Sequence, residues 1–452
     1  MSELSKANAY IAKVKNSVNL SYGLKYHLMP PVGWMNDPNG LIFFNGKYHL
    51  YYQFNPYDTH TGKMCWGHAV SEDLISFADL GVALMHEGGY DNAFSGGAIE
   101  EDGKIAVYYT LHVEKGEEKS EEVYKAVSSD GAEFKNGKKV FDNQTLPDNL
   151  SRTDFRDPCP VKIGDTYYVF VGGKDVALNK GVIIVLGGKS TDKLEYKFYL
   201  GPYFELGDMG ECPSYFNADG KDVIIVSGCH VKDRDNDFKN THSSVFIVGD
   251  LNFEKGEMKV DFIKEIDKGD AFYAPQFIRG IDEPIMIAWF ETWDKPYPTK
   301  DLKHGWVGAF TVPRKLTYKD GDIFQTPVEQ LNSYLYESDS GEAPKSCDIS
   351  FEFIGEGSLT VEGDNGSVSV VNDGKIYLDT LRANNSFGSI WRTNGNYSRC
   401  KVRLLLDVSG IEVFVDGGRE TISSRIYIDG GYRIKTAGGV ESLKIKGIGV
   451  KQ

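Results

Sequence analysis

Positive charge is the scarcer sign in this 452-residue chain: 50 Lys and Arg stand against 65 Asp and Glu, a formal balance of −15. A surface of that sign repels phosphates, which argues against nucleic acid or an anionic membrane as partner and favours a neutral ligand. Long apolar runs are missing too, since no stretch reaches 18 consecutive apolar residues, and no membrane-spanning helix is expected. The first twenty residues, "MSELSKANAYIAKVKNSVNL", spread their lysines among apolar residues instead of following the order of a signal peptide, which predicts a cytoplasmic protein. Within them Leu4, Ala7, Ile11, Val14 and Val18 fall at helical spacing and predict a short amphipathic helix docked on a domain. Cysteine is sparse: the six thiols at 65, 159, 212, 229, 347 and 400 include no C-x-x-C pair, so neither a zinc site nor a disulfide scaffold is expected. We read them as reduced thiols and expect no metal and no cofactor.

What is abundant is aromatic residues, at 13%, and glycine, with 50. That bias suggests many short strands joined by turns, an all-β fold, and the length suggests two domains. A repeat organises the strands. "NGLIFFNGKYHLYYQF" (39–54) is a strand, an Asn-Gly turn and an aromatic-rich strand, and "SGGAIEEDGKIAVYYT" (95–110) repeats the plan with Asp-Gly. Similar hairpins start at 157, 211 and 274, giving spacings of 56, 62, 54 and 63 residues, with room for two more strands in each gap. Four-stranded units repeated five times predict a five-bladed β-propeller, which hides its sheet edges by radial closure. From about residue 340 the strands shorten and lose their aromatic partners, as in "CDISFEFIG", "GSLTVEGD" and "KVRLLLDVSGIEVFVDGG", which predicts a C-terminal β-sandwich. We therefore expect a propeller over 1–335, a sandwich over 336–452 and a linker within 332–346.

The acids fall into this frame. Asp37, Asp157 and Glu211 each sit just ahead of a hairpin's first strand and beside a proline, so the repeat predicts that they meet at one end of the central channel. Each alone would read as a turn cap. Together they form a cluster of like charges that raise one another's pKa, as acid–base cleavage of a glycosidic bond requires.

The stretches "WMNDPNG" (34–40), "FRDP" (155–158) and "ECP" (211–213) resemble the signature motifs of glycoside hydrolase family 32. "QFNP" (53–56), "WGHAVSEDL" (66–74), "FSGG" (94–97), "FYAPQ" (272–276) and "GWVGAFTVPRKL" (305–316) support the resemblance, which spans the whole expected propeller. It implies a propeller followed by a sandwich, and retaining hydrolysis of β-fructofuranosides such as sucrose, sucrose 6-phosphate or short fructo-oligosaccharides. By motif position, Asp37 would be the nucleophile, Glu211 the acid–base and Asp157 the transition-state stabiliser, assisted by Arg156. Retention would place the Asp37 and Glu211 carboxyls about 5 Å apart. Asn36, Gln53, Trp66, Phe94 and Ser95 would line the fructosyl pocket, although Trp66 and Phe94 serve equally well as core.

Two departures from the family pattern stand out. Asp270 lies one residue earlier than expected, with Ala271 in its place, and Gly97 replaces a serine, which predicts a looser pocket. A phosphate on the sugar would call for a rim cation, with Lys63, Lys174 and Arg234 as candidates. "KDRDND" (232–237) lacks the glycine and the final glutamate of a calcium loop, and "EKGEEKSEE" (114–122) reads as a charged surface loop. A non-catalytic fructoside-binding propeller and a fructosyltransferase remain as alternatives, and the sandwich offers a surface for a homo-oligomer.

Overall fold

The computed structural model describes residues 1–89, 91–293, 295–338, 343–383 and 388–450. Five antiparallel sheets, each running from its first strand outward, make up the propeller. The first strands are Gly33–Phe44 in blade I, Asp91–Glu101 in blade II, Leu150–Ile163 in blade III, Met209–Ala218 in blade IV and Tyr273–Phe277 in blade V. They touch one another in sequence and blade V returns to blade I, so they are the innermost strands. Both faces of each sheet are covered by a neighbouring blade. This explains why second strands such as Lys221–Cys229 read as nearly continuous apolar runs rather than alternating ones.

Ring closure uses an excursion of blade V. Between its second strand (Ile285–Trp289) and its third (Arg314–Lys319), residues 290–313 cross to blade I, where Trp306–Val307 pairs in parallel with Gly33 and Trp34. The helix Glu3–Val14 lies against the outer strand of blade I, with Ala7 and Ile11 buried. Of the predicted apolar face, Val18 lies beyond the helix end.

Every innermost strand carries a register shift at the same level: after Met35, Ala93, Arg156, Glu211 and Tyr273. In blades III, IV and V the shift coincides with a left-handed residue directly before proline: Asp157 (φ 65°), Cys212 (φ 48°) and Ala274 (φ 50°). L-residues rarely adopt this conformation, and a bulge there bends the strand and re-aims its side chains. The acids therefore lie inside the innermost strands, not ahead of them as expected, because Pro and Asn-Gly mark a bulge here and not a strand start.

In the sandwich, the two strands expected in "CDISFEFIG" and "GSLTVEGD" are one 16-residue strand, Cys347–Glu362. Its first half pairs with Arg399–Asp407 and its second half with Ser367–Asn372, while Arg433–Ile448 runs along both. A register shift between Phe353 and Gly357 lets the strand pass from one sheet to the other around a core that includes Ile349, Phe353, Leu404 and Val413. Leu335–Glu337, at the expected domain boundary, already pairs with Arg433–Ile448. Within the expected linker, residues 339–342 lie outside the described residues.

The two domains are tied by buried charge. Arg314 of the propeller is fully buried and donates to Asp267 (3.0 Å), to Glu412 of the sandwich (3.1 Å from Nε) and to Ser423 (2.7 Å). His27 bridges Asp407 and Glu412, 2.9 Å from each. Removing one member of such a set leaves its partners buried and unpaired. Arg314→Met is accordingly expected to cost about 3–5 kcal/mol, read as a lowered urea midpoint.

Candidate active site

A cavity of about 740 Å³ opens at one end of the channel, lined among others by Asn36, Asp37, Gln53, Phe94, Ser95, Arg156, Asp157 and Glu211. Its floor is an apolar layer of Trp34, Met64, Cys212, Tyr273 and Trp289. Trp66, expected in the pocket, does not line it. The side chain is fully buried between blades I and II and donates from Nε1 to the Phe94 carbonyl (3.0 Å), so it supports the pocket from behind.

Asp37 accepts from Ser95 Oγ at 2.7 Å through Oδ2, while its Oδ1 is buried without a hydrogen bond of normal geometry. Burial pushes its carboxyl up to about 6, with Ser95 pulling back and the Glu211 charge adding to the rise. Asn36 is oriented by Trp34 Nε1 (2.8 Å), and Gln53 by its bond to the Ala93 carbonyl (2.9 Å). Asp157 takes the Cys212 amide at 3.0 Å, and its own amide donates to Thr110 Oγ1 at 2.8 Å. Burial, and then the Glu211 charge, drive the Asp157 carboxyl upward.

The three acids are staggered along the innermost strands: Glu211 is the last residue before its register shift, Asp157 the first after Arg156 and Asp37 the second after Met35. Asp37 and Asp157 directly precede proline, whereas Glu211 precedes Cys212-Pro213. Its level on the neighbouring innermost strands is occupied by Arg156 and Tyr273, and the three side chains meet. Arg156 donates to Glu211 Oε1 from Nε (3.0 Å) and Nη2 (2.7 Å), and the Tyr273 hydroxyl donates to Oε2 (2.6 Å). Burial raises the Glu211 carboxyl, but Arg156 and Tyr273 outweigh it and hold the net value below the ordinary one.

Cys212 Sγ lies 3.6 Å from Asp37 and 3.5 Å from Asp157. Burial, followed by these carboxylates, pushes its thiol well up, so it serves as a protonated bridge and not as a nucleophile.

The stretch 114–122 is exposed over 114–118, as expected, but it is not all loop. It is the turn of a hairpin between Lys104–Lys115 and Glu118–Ser128, and strand alternation sends Glu121 inward while Glu114 and Gly116 reach the cavity. Glu121 is buried at 1% exposure and lies under Arg156. His112, bonded to Glu121, stacks flat on Phe94 with centroids 4.1 Å apart. Trp293 completes the wall and stacks on Trp34 at 5.8 Å. Sequence reasoning missed Glu121, His112 and Trp293. Tyr273 lay in a quoted motif without an assigned role.

Gly97 does not loosen the pocket: a Cβ there would come within 2.9 Å of Pro160 in blade III, so the glycine permits close approach of two innermost strands. Asp270 is fully buried, 3.7 Å from Lys295, and is not a rim contact. Lys63, Lys174 and Arg234 are absent from the cavity wall; Lys63 donates to the Gly88 carbonyl and Arg234 pairs with Glu205. In the 232–237 loop, Asp233 pairs with Lys239 and Asp237 with Lys268. No helix among the described residues is long and apolar enough to cross a membrane.

Comparison with known proteins agrees with this geometry. Residues 27–327 match the family described as glycosyl hydrolases family 32 N-terminal domain, and residues 346–448 match its C-terminal counterpart. The chain is 31% identical to the sucrose-6-phosphate hydrolase of Vibrio alginolyticus, over 93% of this chain and 89% of that one. It is 29% identical to the sucrose-6-phosphate hydrolase of Escherichia coli, over 94% of both. Among solved structures, a mutant of the Bombyx mori family 32 β-fructofuranosidase in complex with sucrose superposes with a TM-score of 0.88, at 30% identity and 98% coverage of both chains. With both domains matched and the architecture in common, the chain belongs to glycoside hydrolase family 32.

Proposed function

We propose that the chain is a retaining β-fructofuranosidase of the cytoplasm that releases fructose from sucrose-type fructosides. The observation that carries this is the convergence of Asp37, Asp157 and Glu211 on one sugar-sized cavity. A ring of buried carboxylates is costly for binding alone, whereas glycoside cleavage needs one carboxylate ionised and another protonated. This weighs against a lectin.

In this reading Asp37 attacks the anomeric carbon of the fructosyl unit, while Glu211 protonates the leaving oxygen. The same Glu211, now ionised, takes a proton from water, which releases fructose from Asp37. Asp157 holds fructosyl hydroxyls and offsets positive charge at the ring. Arg156 opposes protonation of Glu211 in the open cavity. A sugar that fills the cavity displaces water from Glu211 and raises its proton affinity. Protonation alone supplies the activation, so the chemistry calls for no metal.

Among the described residues Arg156 is the one Lys or Arg on the cavity wall, and Glu211 and Glu121 already engage it. A phosphorylated glucosyl unit would therefore carry its charge at the open rim. The named relatives make sucrose and sucrose 6-phosphate the first substrates to offer, with 1-kestose as the short oligosaccharide. Fructose release is expected, and NMR of the first product should show the β-anomer. Initial formation of the α-anomer would overturn retention, and binding without release would restore the lectin reading.

A further inference from the structure

A buried carboxylate next to the acids, Glu121, takes no part in the chemistry proposed for them. Glu121 comes from the third strand of blade II and reaches Arg156 from the side away from Glu211: Nη1 donates to its Oε2 at 3.2 Å and its Oε1 at 3.4 Å. It is held by the Phe155 amide (2.9 Å) and His112 Nδ1 (3.2 Å), with Lys119 Nζ at 3.3 Å. One guanidinium is thus hydrogen-bonded by two carboxylates, one in the cavity and the other sealed beneath it, with the half-exposed Asp154 further off at 4.0 Å from Nη1.

We propose that Glu121 is a positioning residue for the acid–base step, anchoring Arg156 and offsetting its charge so that Glu211 can take up the proton it must deliver. The inference rests on the reading of Glu211 as acid–base. If Glu211 were the only counter-charge, protonating it would strand a buried cation, which is strongly unfavourable. With Glu121 permanently ionised, the guanidinium keeps a partner through both halves of the cycle. Arg156, with His112 and Lys119 beside it, holds the Glu121 carboxyl down to about 2 against burial, which pushes the other way. The same carboxylate also fixes His112, and through it the Phe94 ring on the cavity wall.

The groups facing Glu211 are Arg156, the Tyr273 hydroxyl, the Cys229 thiol and the carboxylates Asp157 and Asp37. Those facing Glu121 are Arg156, His112 and Lys119, with Asp154 beyond Lys119 at 3.3 Å. Deleting the Glu121 charge leaves only the more distant, half-exposed Asp154 against the pull of Arg156 on the cavity carboxylates and lowers their proton affinity.

The test is the pH dependence of kcat for sucrose, whose basic limb reports Glu211 with the cavity filled. In Glu121→Gln the basic limb should move down by about one pH unit, a roughly tenfold loss above the limb and little loss below it. Glu121→Asp, which keeps the charge, should restore the limb even if KM rises. Lys119→Gln, a change at the protein surface, should move the limb the other way by a few tenths of a unit and keeps the proposal testable if the Gln variant does not fold. A limb that stays in place in both Glu121→Gln and Lys119→Gln, whatever happens to kcat, overturns the proposal and leaves Glu121 structural. Glu211→Gln is measured beside them. If that variant stays active, the reading of Glu211 itself has failed; if it is inactive while the limb is fixed, only the role of Glu121 has failed.

Discussion

Asp37→Asn is expected to lower kcat by about 10⁴-fold or more while the protein stays folded. Loss of a covalent nucleophile in other hydrolases costs on that order or beyond, and nothing nearby can replace it. Asp157 is tied to the Cys212 amide, Glu211 is held by Arg156 and Tyr273, and the Cys212 thiol stays protonated. An Asn side chain can keep the 2.7 Å hydrogen bond from Ser95 through its oxygen, so the pocket need not rearrange. Fructose release measured at high enzyme concentration checks the figure. A residual rate within tenfold of the unmodified protein would remove Asp37 from the mechanism. The unmodified protein should show the matching pH signature. Because Asp37 is raised to about 6 while Glu211 stays below its ordinary value in the free enzyme, the competent pair of ionised Asp37 and protonated Glu211 is a minority form, and kcat/KM should fall about tenfold per unit as pH rises above about 6.

Glu211→Gln is expected to cost about 10²–10⁴-fold in kcat for sucrose. Gln keeps an oxygen for Arg156 but has no proton to give, and Arg156 retains Glu121 as counter-charge, so the buried cation is not stranded. The loss should depend on the leaving group. A fructoside whose aglycone leaves as a stable anion needs no proton and should form the covalent intermediate at nearly the unmodified rate, with breakdown then limiting. Azide, a nucleophile that needs no general base, should rescue that second step. A deficit equal for sucrose and for the activated fructoside, with no azide rescue, would show that Glu211 acts on something other than the leaving oxygen.

The fold was legible because five hairpins with Asn-Gly, Asp-Gly or similar polar turns recur at near-constant spacing, and because a propeller blade, buried on both faces, advertises its second strand as an apolar run. Individual boundaries were less legible. Pro38 followed by Asn39-Gly40 reads as a turn, and only the tertiary ring shows that Gly33–Phe44 is one bulged strand. The Gly355-Glu356-Gly357 interruption hid the continuity of Cys347–Glu362 for the same reason: a bend and a turn have similar composition.

At the site, the acids stood out as a recurring chemistry beside proline. Their stagger along the strands did not, since a bulge changes phase without changing composition. Glu121 was hidden by its neighbours. Five glutamates within 114–122 look like a solvated run, and period-two alternation separates the buried one from the exposed ones only once the hairpin register is known. Trp66 shows the reverse case, a motif residue whose ring faces the blade interface.

The ring closure has one further implication. Trp306–Val307 zips onto Gly33–Trp34, and Asn36 and Asp37 follow two and three residues later on the same strand. Asp37 is thus mounted on the strand that closes the ring, while Asp157 and Glu211 sit on blades III and IV. Opening that two-residue seam would free the strand that carries Asp37 while the hydrogen-bonded sheets of blades II to IV stayed intact.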